Sequence, residues 1–513
     1  MSPSAEPPVK SLRIKRVSLC DFRAFPGPSL HSFDLDGRNM LIYGENGSGK
    51  SSVFHALRDF FSLDPSQEIE NCRNVFSATP PEACKVEVTF DDGGPPAVWH
   101  QETSSGSSMR GDLHPTQLRG RSDQRVVQAA LRRACLDYRA LLDTNYLHGD
   151  EEINLFNIVV RHLVHDFPIA STGGEVMTVE QLWRAVEGAK PKKHSNFGLE
   201  RVNNACAAFN SGLNHALAAL HPYVCTLLSE LVGEELSISP FIFPGVSYKP
   251  KYFKRDRQFH DKEIRLGVDF RKRPVHRPQL FLNEARLSAL ALAIYLAGRM
   301  ACTPSAPGSA LKLLILDDVL IGLDMANRIP VLDILRRHFA DWQIILLTYD
   351  RTWFELVHMQ TRDGTWQHVE MYRGHDLEAG FDRPIIRQID EGWKHLLSRA
   401  RKHLGEHDHR AAAVYARAAF ESWARKYCED KRVKVPYSAD PRGIKSETLW
   451  QGIKTRLIEK NQLPVHQQRI DNLESYRRVV LNPYSHAQPV QIEREEIERA
   501  INAVQALEEI KDT

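Results

Sequence analysis

No unbroken apolar run in the 513 residues approaches the roughly 20 that a membrane-spanning helix needs, so no membrane partner is expected. The first stretch, Met1 to Lys10, is rich in proline and serine and lacks the apolar block of a secretory signal. The eight cysteines, Cys20, Cys72, Cys84, Cys135, Cys206, Cys225, Cys302 and Cys428, include no C-x-x-C pair. That argues against a zinc site or a disulfide framework and predicts a reducing, cytoplasmic setting. Excess charge is missing too: 67 Lys and Arg against 65 Asp and Glu leave a net +2. Any nucleic-acid contact must therefore come from a local patch. There is no internal repeat and no room for sustained heptads, so no long coiled coil is expected. What is present is a chain 42% hydrophobic and 26% charged, the composition of a soluble globular protein of two or three domains.

Periodicity gives a coarse map. Leu12 to Leu19 and Cys84 to Phe90 alternate as half-buried strands, and Asn39 to Tyr43 is a short buried strand before Gly44. Ser51–Phe61, Val126–Arg139, Val202–Val232 and Ala285–Met300 read as helices. Leu313–Leu316 and Ile344–Leu347 are apolar runs of the parallel-strand type. Thr103 to Arg125, rich in Ser, Gly and Arg, reads as an inserted loop. Strand signals stop at Gly374, and from Ile389 onward the pattern is helical.

Between the strand at Asn39 and the helix at Ser51 stands Gly44-Glu45-Asn46-Gly47-Ser48-Gly49-Lys50-Ser51, a full G-x-x-x-x-G-K-[ST] in the strand-to-helix context that the motif requires. Glycines let backbone N–H groups curl around phosphate oxygens, and the helix N-terminus adds partial positive charge. Lys50 supplies a point charge for the β- and γ-phosphates, and the Ser51 hydroxyl is a Mg²⁺ ligand. Ser52 completes the candidate nucleotide set. The run Leu313 to Leu316 ends in Asp317 and Asp318. Asp317 is expected to hold Mg²⁺, and Asp318 to orient or deprotonate water. ATP and Mg²⁺ are thus the expected cofactors.

These residues are similar to the RecF/SMC-like branch of ABC ATPases. Phe22-Arg23-Ala24-Phe25 resembles that branch's N-terminal F-[RK]-x-F turn, which makes Arg23 a nucleotide-site candidate. Leu282-Asn283-Glu284-Ala285-Arg286-Leu287-Ser288 stands where the signature belongs, and Ile321-Gly322-Leu323-Asp324 resembles the D-loop. The signature serine is replaced by Asn283 and its glycines by Glu284 and Ala285. The catalytic glutamate is replaced by Asp318 and the switch histidine by Tyr349. Asn145 stands in for the Q-loop glutamine as a metal candidate. The resemblance implies an ATP sandwich in which Asn283 and Asp324 of one subunit act on the partner's nucleotide, giving a homodimer or higher oligomer. The altered catalytic positions imply slow hydrolysis.

Lys249 to Arg277 carries eleven cations with Tyr248, Tyr252, Phe253, Phe259 and Phe270 interleaved. Such a face can neutralise phosphates and stack bases of DNA or RNA, and it can equally be a solvated hairpin over core aromatics. In the helical tail, Ala411–Glu421 resembles the central helix of HEPN domains, a family rich in RNases. Arg478, Asn482 and His486 resemble its R-x(4–6)-H site, although seven residues and Pro483 intervene. The expected fold class is an α/β P-loop ABC-type ATPase head with a helical insertion, plus a C-terminal all-α domain. The expected limits are residues 1–373 for the head, with a helical and basic insertion at about 126–277, then a linker at 374–388 and a HEPN-like unit at 389–513. The architecture resembles ATPases of anti-phage, abortive-infection systems, whose head gates an effector in the tail or in a separate protein. A RecF-like repair ATPase with a docking tail is the rival expectation.

Overall fold

The computed structural model describes residues 11–62, 69–100, 123–130, 133–137, 154–170, 176–191, 196–249, 258–302, 310–376, 380–389, 392–436, 445–481 and 493–510. The chain divides into two compact units, 1–387 and 388–513.

In chain order, unit 1 holds β1 (Ile14–Cys20), β2 (His31–Asp34), β3 (Asn39–Gly44), α1 (Lys50–Phe60), β4 (Lys85–Phe90), β5 (Ala97–His100), α2 (Gln124–Ala130), β6 (Arg133–Asp137), α3 (Val179–Ala189), α4 (Asn196–Val232), β7 (Leu236–Ile238), β8 (Val268–Phe270), β9 (Arg273–Val275), α5 (Glu284–Cys302), β10 (Leu313–Asp317), α6 (Met325–His338), β11 (Gln343–Thr348), α7 (Arg351–Gln360), β12 (Trp366–Asp376) and β13 (Phe381–Gln388).

Two sheets frame the unit. An antiparallel sheet has the order β2-β1-β4-β5, and a six-stranded sheet has the order β13-β12-β3-β11-β10-β6. β12, β3, β11, β10 and β6 run parallel. Their burial is near-continuous, with β10 and β11 buried at every residue, as a sheet covered on both faces demands. One core packs the inner residues of the antiparallel sheet, the apolar face of α1 (Val53, Phe54, Leu57, Phe60) and the parallel strands. The Gln343 side-chain amide joins the two sheets: its Oε1 accepts from Ile14 N–H at 2.6 Å, and its Nε2 donates to Ile14 O at 2.9 Å.

The strand that carries the phosphate loop, β3, is separated from the acid-bearing strand, β10, by β11 alone. Both loops therefore open on the carboxyl edge of a parallel sheet, where ligands of such sheets bind.

Two expectations need correction. Residues 374–388 are not a linker: β12 runs on through Asp376 and β13 takes Phe381–Gln388 as the edge strand of the main sheet. Pro384 is tolerated there because an edge strand has a side that need not donate to a ladder. The helix predicted over Val126–Arg139 ends at Ala130, and Arg133–Asp137 is a strand paired in parallel with β10. The supposed helical insertion at 126–277 thus begins with a strand of the main sheet. It later contains the small sheet β9-β8-β7 beside α3 and α4. Most of Thr103–Arg125 lies outside the described residues.

Two helices, at 198–235 and Glu284–Cys302, are long and apolar enough by composition to span a membrane, which unbroken runs alone did not reveal. The second has 78% of that window buried inside the head, the environment of a core helix.

Unit 2 contains α8 (Gly392–Gly405), α9 (His409–Asp430), α10 (Ser446–Glu459), α11 (Leu463–Tyr476) and α12 (Arg494–Gln505). Asp408 caps α9 by accepting from Ala411 N–H at 3.0 Å. Leu397, Phe420, Trp423, Trp450, Leu473, Ile497 and Ile501 close its core. The expected helices of 389–513 all appear among the described residues.

Candidate nucleotide site

The phosphate loop is shaped by what glycine alone permits. Gly47 and Gly49 hold φ of 84° and 93°, and Gly49 is the cap residue of α1. A Cβ at Gly44 would lie 2.4 Å from Ser48 Oγ, so the loop closes on itself there. A Cβ at Gly49 would meet Pro384 Cγ at 2.9 Å and Ala24 Cβ at 3.2 Å. Gly49→Ala is therefore expected to displace the loop and weaken nucleotide binding by at least tenfold, with a stability loss of about 1–3 kcal/mol. Calorimetric titration and urea denaturation of the variant check both parts.

Lys50, the first residue of α1, is buried. Its Nζ hydrogen-bonds Asp318 Oδ2 and stands 3.6 Å from Asp317 Oδ1, within ion-pair range but too far for a hydrogen bond. The sheet thus brings together residues 268 apart in sequence. Burial pushes the Asp317 carboxyl above the usual carboxylate range, against the pull of Lys50 and Ser51 and with the help of Asp318. Ser48 Oγ and Asp317 Oδ1 are buried without a hydrogen-bond partner. A curled glycine cradle, a buried lysine, a helix N-terminus and two unspent buried oxygens fit a polyphosphate with a divalent cation. Lys50, Ser48 and the loop amides would hold the phosphates; Ser51 and Asp317 would hold Mg²⁺.

Asp318 adopts φ of 54° and accepts from Tyr349 N–H at 2.8 Å, so the acid at the end of β10 is joined to the residue just beyond β11. Tyr349 itself is 41% exposed. Behind it, Asp350 caps α7 through Trp353 N–H at 3.1 Å and pairs with Arg328. Arg328 also donates to Leu323 O at 2.7 Å, which ties the Ile321–Asp324 segment to the end of β11. Burial opposes ionisation of Asp350, but the Trp353 amide and Arg328 hold its carboxyl below the usual range.

Arg23 is exposed on a turn with φ of 50°. Its N–H donates to Cys72 O at 2.6 Å, and Ala24 N–H reaches Ser52 Oγ at 3.4 Å. The Ser52 hydroxyl thus joins the turn to α1. Arg23 lies near enough that, after burial and Arg58, it contributes to pushing the His55 imidazole down to about 4.

Asn283 and Asp324 both serve as helix caps. Asn283 Oδ1 accepts from Arg286 N–H at 3.0 Å, and Asp324 Oδ1 accepts from Asn327 N–H at 3.1 Å. Both are exposed. With its oxygen turned to α5, Asn283 keeps its amide nitrogen as a donor. The two segments touch: a Cβ at Gly322 would stand 2.2 Å from Ser288 Oγ and 3.5 Å from Glu284 Cγ.

Other predicted residues are not brought together. Asn145, Asn482 and His486 lie outside the described residues. Arg478 is exposed on a π-helical turn, Arg477–Leu481. Its neighbour Arg477 is buried, pairs with Glu447 at 2.8 Å and lies over the Phe420 ring at 4.7 Å. The described aromatics of the basic stretch each meet a neighbouring ring. Phe259 meets Trp183 and the buried Tyr248, and Phe270 meets Phe281 beneath the Arg286 guanidinium. Tyr252 and Phe253 lie outside the described residues. The base-stacking expectation is therefore corrected for the buried Tyr248, while Phe259 and Phe270 are half-buried and the Phe281 that meets Phe270 is exposed.

Three features escaped sequence reasoning: Asp137, in register beside Asp317; Arg373, whose Cδ lies 3.8 Å from where a Gly47 Cβ would sit; and Pro384 against Gly49. Each depends on a pairing in the main sheet that no local motif announces.

Residues 16–128 match the AAA domain family. No curated protein matches the chain. Solved structures similar to it include the Smc head domain with an extended coiled coil bound to the C-terminal domain of ScpA, derived from Pyrococcus furiosus (13% identity, 75% of this chain, 98% of that one, TM-score 0.42). Others are the recombination mediator RecF–ATP (12%, 74% and 98%, 0.41) and the SMC head domain from Thermotoga maritima (15%, 74% and 100%, 0.32).

Proposed function

We propose that the chain is an SMC/RecF-like ATPase whose head binds ATP with Mg²⁺ and dimerises around it. The observation that carries the reading is Lys50 held between Asp317 and Asp318 at the mouth of the glycine loop. Lys50 and the loop amides bind and orient the phosphates, Asp317 and Ser51 would hold a divalent cation, which would supply charge to polarise them, and Asp318 is set to take a proton from water. Tyr349, fixed through its backbone to Asp318, replaces the usual histidine with a side chain that is a poor proton carrier at neutral pH, which favours slow turnover.

Asn283 and Asp324, both exposed at helix starts, are the groups offered to a second copy. An ATP-locked dimer then gates an effector, either the helical unit or a separate protein, in the anti-phage setting that the sequence resemblance implies. The rival is a RecF-like repair ATPase with the helical unit as a docking module, which has no need of the Arg478 and His486 pair. Growth arrest on induced expression separates the two readings, since only the first predicts it.

The direct test is sedimentation velocity of an Asp318→Asn protein with and without Mg-ATP. A doubling of mass with ATP is expected. Asn283→Arg in the same background is expected to keep ATP binding and lose the dimer. A mass unchanged by saturating ATP would remove the sandwich.

A further inference from the structure

Between α5 and the small sheet β9-β8-β7 lies a recess of about 280 Å³. Protein interiors pack as densely as organic crystals, so a space of this size is uncommon without an occupant. An apolar cavity of about 150 Å³ already holds benzene. This one has room for two fused rings.

Its walls differ in character. From α5 come Leu287, Leu290, Ala291 and Ile294, all buried and all apolar. Their spacing is that of one helix face. Opposite them stand Val268 of β8 and Val275 of β9, which are paired across the two strands and so leave the sheet on the same side. The polar side chains of the lining (Ser239, Arg265, Asp269, His276 and Gln279) all come from the sheet and its flanks, none from α5. A mostly apolar recess with a few polar groups on one side is the usual form of a small-molecule site.

The charges select the guest. Arg265 is paired with Glu263 at 2.6 Å, and its backbone bridges to Ile242. Arg271 is paired with Glu235 at 2.5 Å. The Asp269 carboxylate has a weaker hold: among the described residues its one hydrogen bond is from Ser239 Oγ at 3.5 Å, long for an O–H···O contact. Asp269 is half-buried, so its unused acceptor capacity favours a donor on the guest. The exposed cations Lys272 and Arg273 belong to the same hairpin and disfavour an ammonium group. A neutral N–H satisfies both conditions. The place is also consequential, since Leu287 lines the recess and Ser288, the next residue, packs on Gly322.

We infer that this recess is a binding site for a small, planar, uncharged heterocycle, with α5 and the Val268–Val275 pair covering the ring faces and Asp269 accepting from the ring N–H. The phosphate loop takes no part in it, so the inference stands apart from the ATP reading.

The experiment compares indole with 1-methylindole, the same bicycle without its N–H donor, by saturation-transfer NMR titration of the full chain without nucleotide. Indole is expected to bind with a Kd of about 1 mM or below, and 1-methylindole about tenfold more weakly. Asp269→Ala is expected to lower indole affinity about tenfold and to leave that of 1-methylindole unchanged. Val275→Trp, which fills the recess from its half-buried rim, is expected to bind neither while melting at the temperature of the parent. No saturable indole binding by the parent protein up to about 10 mM, or undiminished binding by Val275→Trp, overturns the site. Equal affinity of the parent for the two indoles overturns the role of Asp269 and with it the ligand class; that comparison needs no variant to fold.

Discussion

Lys50→Ala is expected to lower the affinity for Mg-ATP about 100-fold, the effect of removing a buried cation with charge-assisted hydrogen bonds to phosphate. The structure adds a second consequence. Lys50 is the cation against which Asp317 and Asp318 are set. Without it, the Asp317 carboxyl, already raised by burial and by Asp318, rises further. A raised folded-state pKa gives stability that is present at low pH and lost as pH climbs through the folded value. The variant should therefore be more acid-tolerant than the parent, with its stability deficit growing towards neutral pH. Titration with ATP, and urea midpoints across the acid range, read the two effects separately. Full ATP affinity in Lys50→Ala would falsify the site.

Arg299→Ala is expected to destabilise the head by about 3–5 kcal/mol, the cost of leaving a buried partner charge uncompensated. Arg299 is fully buried in α5. It reaches Asp166 Oδ1 at 3.3 Å and His162 O at 3.1 Å, and also donates to Leu163 O. A Cβ at Gly298 would come within 3.0 Å of Leu163 O, so backbone and guanidinium clamp the same turn. Burial disfavours a charged Asp166, but Arg299, joined by His165, Cys302 and a backbone amide, holds the carboxyl below its usual range. Stability from Asp166 is therefore present above the ordinary carboxylate value and lost as pH falls through the lowered one. In Arg299→Ala the sign reverses, since the unpaired acid prefers its proton. The gap between parent and variant should narrow on acidification. The double change Arg299→Met with Asp166→Leu should recover most of the loss, since two apolar side chains of similar volume leave no buried charge. Denaturation monitored by tryptophan fluorescence measures all three. A single variant within about 0.5 kcal/mol of the parent would show that the pair contributes little.

The glycine loop and the paired acids after β10 were legible as candidates because their patterns are local. A glycine pattern, a lysine and an apolar run ending in acids have fixed spacing, and β3 and β10 place them together. Arg133–Asp137 misled because its Ala, Leu and Arg favour helix, and only pairing with β10, about 180 residues away, makes it a strand. The hairpin of β12 and β13 was hidden by Gly374 and Pro384, which punctuate a linker as readily as an edge strand. Asp137, Arg373 and the Pro384 contact could not be read at all, because what matters is what they touch. The helical unit was legible as helices, since amphipathic spacing survives without knowledge of partners, but its chemistry was not.

Gly322 has no space for even a methyl group against Ser288. The Ile321–Asp324 segment and the start of α5 are therefore tightly packed on one another. Under the dimer proposed above, a shift of Asp324 would carry the start of α5 with it, so the face that would meet a second subunit would move as one piece.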